Sequence, residues 1–298
     1  MTLTVPDGTL TYAPQFEKFA RAISDEDASR IETDPVVRST VLRQAADLVD
    51  PDWLVVSGTE QVFAALPPRD GQAVTDYEFG EPTGEPIDHL TEVVRILADV
   101  RSEPLVVSLP DPVTVVTDLF GGDWTALLDE DEFAALDCLH LASQVLTDVL
   151  REFEGNVDAI VLDASGLPAA MDSGLPLADY LLELGPVFNL ADHYSVSTFG
   201  RVPADALDVH DDLREEFDQV VFESLPQSAL SDLAETAAPV GCSFPQELWD
   251  SEDGETFRAR TADYLVAGPD GLLLAQPIPG AVDPAYVQIL GDVLSEHR

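Results

Sequence analysis

The chain has 298 residues, 45% of them hydrophobic, with 57 Asp and Glu against 14 Lys and Arg and a formal net charge of −43. The apolar share is enough for one large core and argues against disorder, while the charge destabilises any compact state unless salt screens it; at molar salt the Debye length is about 3 Å. The composition therefore reads as a surface suited to a salt-adapted cytoplasm, and it argues against nucleic acid as a partner, because phosphate binding needs Lys/Arg patches.

The N-terminal Met1-Thr2-Leu3-Thr4-Val5 has neither a basic nor an apolar leader character, and no run approaches 18 apolar residues. The expectation is a cytoplasmic protein without membrane association. Two cysteines, Cys138 and Cys242, do not suggest a disulfide framework.

Helical spacing first emerges over residues 32–49, where Val36, Val37, Val41, Leu42, Ala45 and Leu48 form a stripe behind an early Pro35. Trp53-Leu54-Val55-Val56 reads as a buried strand, and Pro67 to Pro86 as a long acidic loop, solvated or serving as a lid. A helix over 87–102 precedes the strand Leu105–Leu109. The longest helix is expected over 130–154, capped by Asp129 or Asp131 and closed by Gly155. Strands at Asp158–Asp163, Tyr194–Thr198, Gln219–Phe222, Val240–Ser243 and Leu272–Ala275 alternate with helices over 176–184, 203–215, 227–237, 254–266 and 283–296.

Seven apolar strands separated by helices predict a parallel sheet covered on both faces. An eighth strand lies near the N-terminus or at Tyr264-Leu265-Val266-Ala267. No Gly-rich phosphate turn follows an early strand, so a (β/α)8 TIM-type barrel is preferred to a doubly wound sheet. No linker divides the chain, and residues 1–298 read as one domain.

Three segments, taken in chain order, resemble those of one known enzyme family. Glu103–Gly122 is similar to the family's second-strand segment, with Pro112-Val113-Thr114 at the place of a Gly-Pro-Phe-Thr-like turn and Asp111 in place of glycine. The stretch LLDEDEF…VLREFEGNVDAIVLDASG resembles a long helix followed by a Gly-Val-Asp-Ala-Ile strand. The closing GPDGLLLAQPIPGAVDPAYVQILGDVL resembles a Gly-Gly-Phe-Ile-Leu strand, an Ile-Pro turn and a Pro-led helix. Together these segments resemble the uroporphyrinogen decarboxylase family, whose barrel is shared with cobalamin-independent methionine synthases and corrinoid-linked methyltransferases, and the resemblance implies a lyase acting on an organic acid or a tetrapyrrole-related substrate.

The departures from that family concern chemistry. The opening arginine motif that holds substrate carboxylates has no counterpart; the corresponding segment carries only Lys18 and Arg21. The first-strand aspartate is replaced by Ser57-Gly58-Thr59-Glu60, and the late histidine by Ala275-Gln276-Pro277-Ile278. The His-x-Cys pair of the zinc-dependent methyltransferases is absent from Ser197-Thr198-Phe199-Gly200-Arg201, and Cys242 has no histidine at ligand spacing. No metal and no cofactor is expected.

In a barrel the site lies at the C-terminal ends of the strands. Asp163 there is a candidate general acid or base, set against an Asx turn. Arg201, read as following its strand in a Gly-Arg turn, is a candidate clamp for a substrate carboxylate, set against a structural ion pair. Ser57, Glu60, Asp111, Ser165 and Gln276 are candidate substrate contacts, with Asp111 equally able to cap the helix at Pro112. A small-molecule substrate is expected. The alternatives are a corrinoid-linked or methionine-synthase-like methyltransferase without its own zinc, and a non-catalytic binding barrel. A homodimer is compatible with either.

Overall fold

The computed structural model describes residues 3–5, 9–234, 240–269 and 271–298. Eight parallel strands form one curled sheet, β1 (Thr11–Tyr12), β2 (Leu54–Ser57), β3 (Leu105–Pro110), β4 (Ala159–Asp163), β5 (Ser197–Pro203), β6 (Gln219–Glu223), β7 (Gly241–Cys242) and β8 (Leu273–Leu274). Their order is β1-β8-β7-β6-β5-β4-β3-β2. At the seam between β1 and β2 the Tyr12 carbonyl accepts from the Asp52 and Trp53 amides at 2.8 and 3.3 Å. The Tyr12 amide in turn donates to Asp52 Oδ2 at 2.7 Å. The missing eighth strand is thus the N-terminal one, and Tyr264 to Val266 belong to a helix.

Helices surround the sheet. Before β2 come α1 (Glu17–Ile23), α2 (Ala28–Thr33) and α3 (Pro35–Val49); α4 (Thr59–Ala65) and α5 (Glu85–Val100) follow it. After β3 the chain forms α6 (Pro112–Phe120), α7 (Gly122–Glu130) and α8 (Glu132–Arg151), and after β4 it forms α9 (Leu167–Asp172) and α10 (Leu177–Tyr194). The remaining layer is α11 (His210–Glu216), α12 (Gln227–Ala234), α13 (Gly254–Val266) and α14 (Pro284–His297). Three of these begin with an aspartate cap and proline at the first position, at Asp34-Pro35, Asp111-Pro112 and Asp283-Pro284. The carboxylate satisfies orphan amides while proline supplies a pre-set φ and lacks an amide to orphan.

Several boundaries differ from the sequence expectation. Helix α8 is capped by Asp131 and ends at Arg151, and Gly155 takes its positive φ of 73° in the turn beyond. Helix α10 runs through Pro186 to Tyr194, where Ser195 at φ 58° caps it, so Tyr194 and Ser195 are not strand. Packing against α8 outweighs the local breaker signal. Residues 204–209, expected to be α-helical, form a 3-10 turn before α11. The helix expected over 227–237 is described only to Ala234, with 235–239 outside the described residues. The loop from Pro67 to Pro86 is anchored: Val74, Tyr77 and Phe79 are buried, Tyr77 and Phe79 meet Phe120 edge-on, and the Tyr77 hydroxyl donates to the Pro67 carbonyl at 2.6 Å.

Inside the sheet, Ala13, Trp53, Val55, Val106, Val161, Phe199, Val221 and Leu273 form an apolar cluster, separate from the larger core between strands and helices. Trp53 and Phe199 stack across it at 5.5 Å. Residue alternation along a strand returns each side chain to the same face two positions on. Val161, Phe199 and Val221 are therefore followed, at the C-terminal rim, by Asp163, Arg201 and Glu223. Gly241 opposite them has no room for a side chain, since a Cβ would lie 2.6 Å from Val221 Cγ2 and 2.9 Å from the Val220 carbonyl.

Candidate functional site

The rim above the apolar interior carries a cluster of three charged side chains from consecutive strands. Arg201 lies within β5 rather than in a turn after it, because the strand continues its pairing with Asp163 and Val221 on either side. Its Nη2 donates to Asp163 Oδ2, and its Nε stands 3.1 Å from Glu223 Oε1, an ion pair without hydrogen-bond alignment. Arg201 is 7% exposed. Both Arg201 Nη1 and Asp163 Oδ1 are buried without a hydrogen-bond partner. Burial pushes the Glu223 carboxyl above the usual carboxylate range; Arg201 opposes the rise and the charge of Asp163 adds to it. A carboxyl in that condition exchanges a proton nearer neutral pH than an exposed glutamate does.

Asp111 sits directly behind this cluster. Its amide donates to the Asp163 carbonyl at 2.9 Å, and its Oδ1 accepts from the Thr114 amide at 2.6 Å as the cap of α6. It is fully buried, and burial pushes its carboxyl up to about 7, against the hydrogen bonding of Thr114 and the nearby Tyr180 hydroxyl and with the help of Asp163. The cap role expected from Asp111-Pro112 is what the geometry displays. Ser165, on the exposed turn after β4, stands 3.4 Å from Thr114 Oγ1, whose hydroxyl donates to the Asp163 carbonyl at 2.8 Å. Asp163 itself makes no Asx turn; its carboxylate is directed to Arg201.

Gln276 is 1% exposed and both ends of its amide are engaged. Its Oε1 accepts from the Phe244 amide at 2.7 Å and its Nε2 donates to the Pro277 carbonyl at 3.1 Å. It ties the loops after β7 and β8 together.

Ser57 and Glu60 lie on the other side of the rim. They line a cleft of about 150 Å³ together with Gln15, Lys18, Arg21 and Arg38. The cleft and the small apolar cavity under Arg201 share Gln15 and Val55. Glu60 is exposed and pairs with Arg21 at 3.3 Å. The Ser57 carbonyl accepts from Arg38 Nη2 at 2.7 Å. The strand-end candidates thus fall into two groups, Asp111, Asp163, Ser165 and Arg201 over β3 to β6, and Ser57 with Glu60 beside β1 and β2.

Tyr180, Gln15 and Arg38 were not singled out as contacts by sequence, and Glu223 was legible only as one of the polar residues at the strand ends. Arg38 had a readable signal: it follows Val37 and precedes Val41 and Leu42 on the buried stripe of α3, and it is 1% exposed. Tyr180 had none, because a tyrosine in a helical stripe reads as packing.

The residues do not fit a zinc site of thiolate and imidazole ligands. Cys242 is buried beneath Tyr264, whose hydroxyl lies 3.6 Å from its sulfur, and Cys138 is on α8; burial pushes each thiol up to about 12. Among the described residues no three His, Cys, Asp or Glu side chains gather as a metal-ligand set. Among the described residues, one helix is long and apolar enough to cross a membrane, Glu132–Arg151, which is α8, packed against α6, α7 and α10.

No protein-family model matches the chain, and no curated protein matches it. Among solved structures, the chain is similar to a methyltransferase from Methanosarcina mazei, at 16% identity and a TM-score of 0.68, over 99% of this chain and 95% of that one. A catalytic module of the pneumococcal exo-beta-D-N-acetylglucosaminidase StrH matches at 10% identity and a TM-score of 0.48, covering 98% and 84%. A dihydropteroate synthase from Coxiella burnetii matches at 13% identity and a TM-score of 0.31, covering 99% and 93%. The first likeness establishes the fold: this chain has the parallel α/β architecture of the barrel enzymes.

Proposed function

We propose that the chain is a single-domain (β/α)8-barrel enzyme of methyl transfer, passing a methyl group from a methyl-corrinoid or methyl-folate donor to a small organic acceptor at the rim that carries Asp163, Arg201 and Glu223. The observation that carries the reading is the pairing of Arg201 with two carboxylates at once. A decarboxylase acting on a carboxylate-rich tetrapyrrole needs cations free to meet its substrate, and this arginine is already neutralised. Transfer of a methyl group to an acceptor X–H asks instead for a base. Glu223, raised by burial, takes the acceptor's proton as the X–CH3 bond forms and the donor–CH3 bond breaks, the bonding pair leaving with the donor. Arg201 holds Glu223 and Asp163 in place and offsets the charge that develops. Because the cysteines and histidines do not form a zinc site, no step is assigned to a metal. The fold likeness to a methyltransferase supports this reading over a lyase.

The test is an assay of the full chain at molar KCl with methylcobalamin or methyltetrahydrofolate and a panel of thiol and hydroxyl acceptors. Methylated product above the uncatalysed rate is expected. Silence across the panel, with carbon dioxide released from organic acids or tetrapyrroles instead, would return the lyase reading; silence throughout would favour a binding barrel.

A further inference from the structure

The cleft beside β1 and β2 brings three basic side chains together. Three of the fourteen basic residues, Lys18, Arg21 and Arg38, line it, against two carboxylates, Glu17 and Glu60. In a chain of net charge −43 every cation could be matched many times over. Here the match is incomplete by construction. Glu17 is spent on the arginines: its Oε1 accepts from Arg38 Nε at 2.9 Å and from Arg21 Nη2 at 3.0 Å, and its Oε2 accepts from Arg38 Nη2 at 3.1 Å. Glu60 is exposed and pairs with Arg21, which also meets the exposed Glu32 at 3.7 Å. Lys18, the single lysine, has no carboxylate at ion-pair distance among the described residues.

The buried polar atoms point the same way. Arg38, 1% exposed, keeps Nη1 without a hydrogen-bond partner; Arg21 keeps Nε; Gln61 keeps Oε1. All three residues line the cleft. Leaving a buried guanidinium N–H unpaired costs about 1–3 kcal/mol; two such groups and one amide oxygen belong to residues that line this cavity, and a polar group from outside the chain would relieve them. Among the residues that line the cleft the surplus is one positive charge, Glu32 lying outside that lining. That suits a carboxylate, which takes two N–H donors side by side, better than a dianion, which would meet Glu17 and Glu60 with an excess of its own. Gln61 can turn its amide to present N–H to the same group.

We infer that this cleft is a carboxylate-binding subsite, in which Arg38, Arg21, Lys18 and Gln61 receive the end group of a small monocarboxylic acid whose body extends past Gln15 and Val55 towards Arg201. The inference deepens the reading of the previous section by naming one end of its substrate. It is tested by binding alone, so that it can fail while methyl transfer stands, and the reverse.

The experiment is an NMR titration of the full chain at constant molar KCl with butyrate, with butyramide as its neutral isostere, and with inorganic phosphate. Saturable binding of butyrate with shifts confined to the cleft, and none with butyramide, is expected. Lys18→Gln, at an exposed position, should weaken butyrate about fivefold, the worth of one partly exposed ion pair. Gln61→Glu, which sets a charge against the ligand, should abolish binding, and Glu60→Gln should strengthen it. Equal binding of butyramide, tighter binding of phosphate, or a butyrate affinity unchanged by Lys18→Gln and Gln61→Glu in folded protein would overturn the assignment.

Discussion

At the scale of single residues, Asp111 does two things that ordinarily oppose each other. It caps α6, a role that favours a charged carboxylate, and it is fully buried, which favours the neutral acid. Burial wins and carries the carboxyl from its ordinary 3.8 to about 7. A carboxyl raised in the folded state holds a proton there that the unfolded chain has already lost. Its contribution to stability is therefore complete below about pH 4 and is lost as pH rises through about 7. Asp111→Asn keeps an acceptor for the Thr114 amide and removes the titration. Denaturant unfolding at a series of pH values should show the variant gaining on the wild type across that window, by on the order of 2–4 kcal/mol in all. A wild-type-minus-variant difference that does not change with pH would mean that Asp111 is charged in the folded protein. Asp163 and Arg201 were legible from sequence as polar residues at strand ends. Their pairing was not, because it joins side chains 38 residues apart across neighbouring strands.

At the scale of elements, the fold rests on a short seam. Seven strands were legible because a parallel strand buried on both faces is a continuous apolar run. The eighth, Thr11–Tyr12, has two residues and no periodicity of its own; its ladder to Leu273 and Leu274 and its contact with Asp52 place it. Asp52 Oδ2 also takes the side chain of Arg298 at 2.8 Å, so one carboxylate links the first strand, the turn before the second and the last residue. Asp52→Ala leaves the buried Tyr12 amide without its acceptor and should destabilise the protein by about 1–3 kcal/mol. Faster hydrogen exchange at Tyr12, with β4 to β6 unchanged, is the accompanying sign; uniform exchange across the sheet would mean that the seam is not a separate unit. The run of α10 through Gly185 and Pro186 was not legible either, since local propensity pointed to a stop and the contact with α8 decided otherwise.

At the scale of the whole molecule, charge and site answer to the same physics. A net charge of −43 makes the surface depend on screening, and that same acidity makes the two buried arginines among the described residues, Arg201 at the rim and Arg38 in the cleft, stand apart. Composition displayed the first of these facts. It could not display the second, because a buried arginine on a helix stripe looks like any polar residue until the strands bring its surroundings together. The resemblance read from three segments pointed to the barrel architecture and to a lyase; the reading proposed for the rim, where the arginine is divided between Asp163 and Glu223, is proton abstraction during methyl transfer. The most direct measurement is the initial rate of methyl transfer by wild type and Glu223→Gln, side by side at molar KCl, with thermal unfolding as the control for folding. A loss of at least about a hundredfold in Glu223→Gln, with unfolding little changed, is the result this account predicts. A folded Glu223→Gln protein that transfers methyl groups at the wild-type rate would contradict it.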